Sequence, residues 1–535
     1  MKEKEEQPLL WFLGFTSIGG LSQHHATNWN ISKAIWLVLF IGGTSATLTQ
    51  LYSIMTTYFE YNVVTSVTNT EVQSLNFPAV TICNQNAVHC GNLKDLIWIL
   101  NSTQSNDSQS LANLCQLYIQ VNCPGSVLMT ELFSNGYPSN NTVCNSDVAR
   151  PKIDLNSEDK FFKLRDEFDK IYNTISPEHK MIIAHQPDKM FKRCTFQSIV
   201  DTSIHCQLLL NGTGKIYHPT YGYCYTFNSN IEGRSKAETA FAGPYYGFSV
   251  EVDIERSYYM RVSATQNEGI AVAIHPPDKD PLLATSAINV LTNTLTSIAL
   301  KQMVTTLQAE PYTSNCSTSW NRSSMPSLEG TRRYHAALCQ GKCLFDLFKE
   351  KCNCSLNHLY TISDSNPKRT CLVHTLDQSC MERGADKLTA KVLKETCLCP
   401  AECNDVFYEY NTNSVRWPSH VFWTELANSH QFQYKGKILN PLDAFEAVSS
   451  LDPNISLIEQ YNTIQSHVES NFLKLQVYFA DKYVTNITES KEFTLSGILS
   501  TAGGAISLWL GTSFIALFEF VELGARFLLK CGIPK

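Results

Sequence analysis

Two runs without a single charged residue bracket this chain, Ala34–Phe59 near one end and Phe493–Phe518 near the other. Each exceeds the roughly 20 residues that cross a hydrocarbon core. The first is longer than the apolar region of a signal peptide, about 7–15 residues, and lacks a small-x-small cleavage site, so it reads as an uncleaved span. Two spans put residues 61–492 on one side of a membrane and both short termini on the other.

Cysteines and glycosylation sequons say which side. Of 19 Cys, 18 lie between Cys83 and Cys403. They are Cys83, Cys90, Cys115, Cys123, Cys144, Cys194, Cys206, Cys224, Cys316, Cys339, Cys343, Cys352, Cys354, Cys371, Cys380, Cys397, Cys399 and Cys403. An even set in one stretch reads as a disulfide framework in an oxidising compartment. Asn-x-Ser/Thr sequons open at Asn101, Asn106, Asn140, Asn211, Asn315, Asn321, Asn353, Asn454 and Asn486, all inside the same region. They place it outside the cytosol, with both termini cytosolic. Lys33 before the first span, and Arg526 and Lys530 after the second, agree with positive-inside, although Glu3, Glu5 and Glu6 dilute the first end.

The Cys-dense block 339–403 contains "CQGKC", "KCNC", "CLC" and "CPAEC". Zinc uses such spacings in the cytosol. Beside the sequon at Asn353, disulfides clamping a helical subdomain are the better reading. A net charge of -7 leaves no basic footprint for nucleic acid. "NGTGKIY" (211–217) lacks the glycine spacing of a phosphate loop and the Ser/Thr after its Lys, and Asn211 is itself a sequon. With no nucleophile elbow, HExxH motif or dinucleotide fingerprint, neither an enzyme nor a resident metal or cofactor is expected.

Between the spans no 20–50-residue repeat and no long linker interrupts the chain, so one compact unit is expected. Alternation predicts strands that turn Ile270, Val272 and Ile274 to one face, likewise Phe248, Val250, Val252 and Ile254, and likewise Leu473, Leu475, Val477 and Phe479. Helical periods place Phe161, Leu164, Phe168 and Tyr172 on one stripe and Leu457, Tyr461, Ile464 and Val468 on another, both expected to brace a sheet.

The second run is unlike a plain anchor. Wound as one helix, it gathers Gly497, Ser500, Gly504, Ser507, Gly511, Phe518 and Glu522 into a narrow stripe, small or polar except at Phe518. Gly503, Ser507 and Gly511 add a small-xxx-small series that permits close helix approach. Glu519 and Glu522 lie where charges face a partner or water. The pattern favours an oligomeric, water-lined path over an anchor, with Gly511–Ser513 offering carbonyls at a constriction and the two carboxylates attracting cations below it.

At this point the chain resembles the degenerin/epithelial sodium channel family, from about Thr16 to Glu522. "FPAVTICNQN" (77–86), "CYTFNS" (224–229), "PYTSNC" (311–316), "YHAALCQGKCLFDLFKEKCNC" (334–354), "CPAECNDVFYEY" (399–410) and "GGAISLWLGTSFIALFEFVEL" (503–523) carry the resemblance by order and spacing. It implies an α+β membrane protein, trimeric, with two transmembrane helices per subunit and a disulfide-rich, hand-like ectodomain of palm, thumb, finger, knuckle and β-ball. The implied division is a cytosolic 1–33, a span at 34–60 and an ectodomain at 61–492. Within it the finger falls near 87–190, the thumb near 330–400 and the knuckle near 430–470. A pore span at 493–523 and a cytosolic 524–535 complete it. The resemblance implies a sodium-selective, amiloride-sensitive plasma-membrane pore with identical or related subunits as partners and sodium as the permeant ion. Gly511, Thr512 and Ser513 map onto the family's filter, Ser507 with Gly504 onto the amiloride-binding mouth, Ser500 onto the degenerin position, and Glu519 and Glu522 onto the carboxylates below.

The departures bear on gating. "TSIGGLS" (16–22) has Gly19 where the family's pre-span motif has His, and retains Gly20. Acid-sensing members carry a His pair where this chain has Asn62 and Val63, a Lys where it has Tyr223, and an outer-mouth acid where it has Thr501. These losses favour an extracellular ligand such as a neuropeptide as the gating stimulus. A proton-gated or constitutively active channel is the alternative, and a non-conducting two-span receptor or adhesion glycoprotein is the reading from another class.

Overall fold

The computed structural model describes residues 12, 16–18, 20–102, 114, 158–197, 214–229, 237–260, 267–323, 333–354, 371, 377–387, 396–419, 432–434, 437–439, 457–512 and 516–531. Gly19, Ser513, Asn106, Asn140, Asn211, Asn454, Cys115, Cys123, Cys144 and Cys206 lie outside them. The helices used below are α1 (Leu21–Ala26), α2 (Asn30–Phe59), α3 (Cys90–Ser102), α4 (Glu158–Thr174), α5 (Pro177–Ile183), α6 (Ala336–Cys352), α7 (Gln378–Lys387), α8 (Leu457–Asn471), α9 (Leu495–Leu510) and α10 (Ala516–Cys531). Two compact units divide the chain: Met1–Ser66 with Thr306–Cys316 and Thr488–Lys535, and Val67–Thr305 with Ser317–Ile487.

The larger unit is built on two sheets. One orders strands Asn404–Arg416, Thr294–Thr306, Phe472–Lys491, Phe248–Asp253 and Phe191–Phe196, with Val63–Glu71 paired to Phe472–Lys491. The other orders Ile288–Val290, Ile270–His275, Ala79–Asn84, Gly222–Phe227 and Lys215–His218. Their apolar faces share one core, in which Phe77, Ile82, Phe248, Val250, Val252, Leu473, Leu475 and Val477 are fully buried. Phe77 contacts the rings of Phe196, Phe227 and Phe479 at 5.0, 6.1 and 5.8 Å, so truncating it would cost about 3–5 kcal/mol.

The alternation of Phe248–Ile254 and Leu473–Phe479 is realised, with each expected inward residue buried. Ile270–His275 differs, because Ala271 and Ala273 are as buried as Ile270 and Val272. This strand lies inside its sheet, and the alanine face packs on Cys83, Cys224 and Leu283, so both faces are covered. Both braces form as helices, α4 and α8, burying Phe168, Tyr172 and Val468. The side chains of Phe161, Leu164, Leu457, Tyr461 and Ile464 lie outside the described set.

Disulfides close the Cys block, which excludes the zinc alternative there. Cys339–Cys399 and Cys343–Cys397 tie α6 to the returning chain, Cys352–Cys380 ties it to α7, and Cys354, just after α6, bonds Cys371. Cys83–Cys224 joins facing positions on neighbouring strands. Cys90, Cys194, Cys316 and Cys403 are also disulfide-bonded. Sequon residues Asn315, Asn321 and Asn353 are exposed, as glycan attachment needs.

Candidate pore site

In the smaller unit α2 is a 30-residue helix whose most apolar 18-residue stretch has a mean hydropathy of 1.5. Ile35, Leu37, Val38, Leu39, Ile41 and Leu48 are exposed around it, a surface that lipid can cover and water would penalise. Its buried residues are Gly43, Thr47 and Ile54, the seam against α9. A Cβ on Gly43 would come within 2.8 Å of the Trp509 carbonyl oxygen, so glycine is what lets the helices approach. Trp509 Nε1 donates to Gln50 Oε1 at 2.8 Å beside that contact.

The second apolar run is two helices. α9 starts at Thr494, whose Oγ1 accepts from Gly497 N at 3.1 Å, and ends at Gly511 with φ 64°. Gly511 N closes the last turn on Ser507 O at 2.9 Å. A left-handed residue after the last turn directs the backbone out of the helix, and glycine takes that conformation without a Cβ penalty. Thr512 is buried beyond it, and the chain resumes as α10 at Ala516. The continuous stripe expected from the sequence therefore stops at Gly511. Phe518 and Glu522 belong to a second helix whose phase the break resets. Above the break, Ser500, Gly504 and Ser507 are exposed, while Ile498 and Ala505 are the buried residues of α9. The small face is thus free in the single chain.

Below the break both carboxylates have partners, and Glu519's is one that spacing does not reveal. Glu519 accepts from Thr16 Oγ1 at 2.9 Å and from Ser17 N at 3.1 Å, and Phe12 and Phe520 pair at 5.3 Å. Glu522 accepts from Arg526 Nη2 at 2.9 Å, one helical turn on. These hydrogen bonds hold the two carboxylates that the sequence reading placed below the constriction. Gly20, at φ 87°, precedes α1, and a Cβ there would stand 3.3 Å from Phe40 Cβ. Retention of this glycine has a backbone reason.

At the other end of α2, Tyr61 adopts φ 52° and its ring meets Tyr312 edge-on at 5.8 Å. Thr313 N donates to Tyr61 O at 3.3 Å, and Lys491 Nζ sits 5.4 Å over the Tyr312 ring. Gln308 N donates to Glu489 at 3.0 Å, fastening the same 306–316 segment to the chain entering α9. "PYTSNC" is visible in the sequence, but its docking on Tyr61 has no local signal.

A family model described as the amiloride-sensitive sodium channel matches residues 12–523. The chain belongs to that family. Similar proteins include acid-sensing ion channel 1B of Danio rerio, 22% identical over 97% of this chain and 78% of that one. Acid-sensing ion channel 2 of Rattus norvegicus is 22% identical over 92% and 81%, and acid-sensing ion channel 4 of Homo sapiens 24% over 63% and 54%.

As a member of an ion-channel family, the chain carries in α9, Gly511 and α10 the segment its resemblance assigned to the pore. None of these similarities supports a neuropeptide ligand. The positions that departed from acid-sensing members are occupied in other ways. Asn62 Nδ2 donates to Glu60 Oε2 at 3.1 Å, Tyr223 OH to Pro177 O at 3.0 Å, and Thr501 Oγ1 to Gly497 O at 2.8 Å.

Proposed function

We propose that this amiloride-sensitive sodium channel family member forms a sodium-selective, amiloride-blocked pore in the plasma membrane, with both termini cytosolic. Three subunits would bring their α9 helices together, with Gly511, Thr512 and Ser513 at the constriction and Ser507 and Gly504 at the blocker's mouth. The observation that carries this reading is the break at Gly511, below a helix face that is small, polar and exposed in the single chain.

For the stimulus, extracellular protons have support that a neuropeptide lacks. The relatives above are named as acid-sensing. Burial pushes the carboxyl of Asp253 up to about 6 against the opposing charge of Lys192, and burial likewise pushes Asp169 up to about 6. Both groups change charge under mild acid, and a state that prefers them protonated is favoured as pH falls.

The test is voltage clamp after heterologous expression, with acid steps, a peptide panel and amiloride. A sodium-selective, amiloride-blocked current evoked by acid is expected. Current evoked by a peptide and not by acid would replace the stimulus, and no current at confirmed surface expression would overturn the channel reading.

A further inference from the structure

Two helices of the larger unit begin at a histidine used in an unusual way. Asn92 N, in the first turn of α3, donates to Nδ1 of His89 at 3.0 Å. Leu338 N, in the first turn of α6, donates to Nδ1 of His335 at 3.4 Å. Ser, Thr, Asp and Asn usually fill this role, and their oxygens accept at any mildly acidic pH. An imidazole accepts only while the nitrogen keeps its lone pair.

We propose that the first turns of α3 and α6 are released by acid, because protonating His89 or His335 at Nδ1 turns the capping acceptor into a donor. Two N–H groups then face each other and the amide is orphaned. The new positive charge also sits at the helix end where positive charge is least favourable.

The surroundings set what the proton meets. Around His89 stand Glu255, with Oε1 3.4 Å from Nε2; His185, whose ring lies 5.1 Å away and whose Nδ1 lies 3.1 Å from Glu255 Oε2; and Tyr258, stacked at 4.3 Å. Asp253, paired with Lys192 at 3.5 Å, is two residues from Glu255. Around His335 stand Glu402, 3.9 Å from Nδ1, with Lys279, Asp405, Asp280 and His275 near it. Burial holds His335 below the usual imidazole range, with Glu402 opposing that shift, so the α6 cap is intact at neutral pH.

Ring nitrogens of His89 and His185 and a Glu255 oxygen also lie within 4.8 Å of one another, a spacing that a divalent metal accepts. His89 argues against one. Its acceptor Nδ1 leaves the ring proton on Nε2, so the nitrogen beside Glu255 has no lone pair to give.

The test is amide hydrogen exchange on the full-length protein from pH 7.5 to 5.5, corrected for the intrinsic pH dependence of exchange and read at Asn92 and Leu338. A cap's usual worth corresponds to a rise of roughly tenfold in opening at these amides as pH falls. His89→Asn and His335→Asn, which cap without titrating in this range, are expected to keep protection throughout. Flat corrected exchange in the wild-type protein would overturn the proposal, as would the same acid-dependent rise in folded Asn variants. The readout needs no current, so it stands or falls independently of whether protons open the pore.

Discussion

Glu519, just after the break in the second apolar run, is hydrogen-bonded to Thr16, 503 residues earlier, at 2.9 Å. The carboxylate holds the hydroxyl and the following amide of the pre-span segment. The chain entering α2 is therefore tied to α10. We expect Thr16→Val and Glu519→Gln each to change open probability without loss of surface protein. Their coupling in a double-mutant cycle should be about 1–2 kcal/mol, as for a hydrogen bond to a charged group. Strictly additive effects in single-channel recording would dissociate the two residues.

Gly511 is constrained by backbone conformation alone, since a Cβ there meets nothing within 4 Å. Residues should be tolerated in the order of their left-handed propensity. Gly511→Asn is expected to conduct with altered selectivity, and Gly511→Val to lose conduction at comparable surface expression. Relative sodium and potassium permeability, from reversal potentials, is the measurement. Equal behaviour of the two variants would put the break elsewhere.

Gly43 is constrained in the opposite way, by its neighbour. A side chain there strikes the Trp509 backbone oxygen, so Gly43→Val should separate α2 from α9 and cost about 1–3 kcal/mol. Trp509→Phe, which removes only the bond to Gln50, should cost about 0.6 kcal/mol. Thermal stability of detergent-solubilised protein should therefore fall much further for the first than for the second.

His275 supplies a pH dependence of stability that can be isolated. Its Nδ1 lies 2.9 Å from Pro276 O and its Nε2 2.8 Å from Thr81, which in turn meets Thr226 at 2.8 Å. Burial lowers its pKa to about 4 from the ordinary 6.5. Between those values the unfolded chain binds a proton that the folded chain refuses. This contribution is therefore intact above pH 6.5 and is lost progressively toward pH 4, by about 3 kcal/mol. Asp169 and Asp253, both raised, act with the opposite sign, and the fold gains from them as pH falls through about 6. Comparing wild type with His275→Gln in denaturant unfolding at several pH values isolates the histidine. Parallel stability curves would refute its role.

Much of this architecture was legible before any fold was known. The first charge-free run marked a long apolar helix, the Cys set marked a disulfide framework, and alternation at Phe248–Ile254 and Leu473–Phe479 marked the core strands. Each signal is local, because it reports the solvent that a short segment meets or the backbone geometry that it allows. Gly511 is the clearest case, since its missing Cβ is enough to admit a helix break. The alternation at Ile270–Ile274 was correct but incomplete, because an alanine face does not announce that it too is covered.

The partners were not legible. Nothing near Glu519 points to Thr16, nothing near Gly43 to Trp509, and nothing near Tyr61 to Tyr312. A histidine before a helix does not read as a cap until its Nδ1 is seen beside an amide. By itself the sequence determined where the long apolar helix runs, which block disulfides tie, which faces turn inward and where the second apolar run breaks. Tertiary structure alone decided which charges are already held, which glycine is needed for contact rather than conformation, and which histidines must stay neutral. Glu519 with Thr16 and Gly43 with Trp509 are hundreds of positions apart in sequence, and only the packing of the whole chain brings them together.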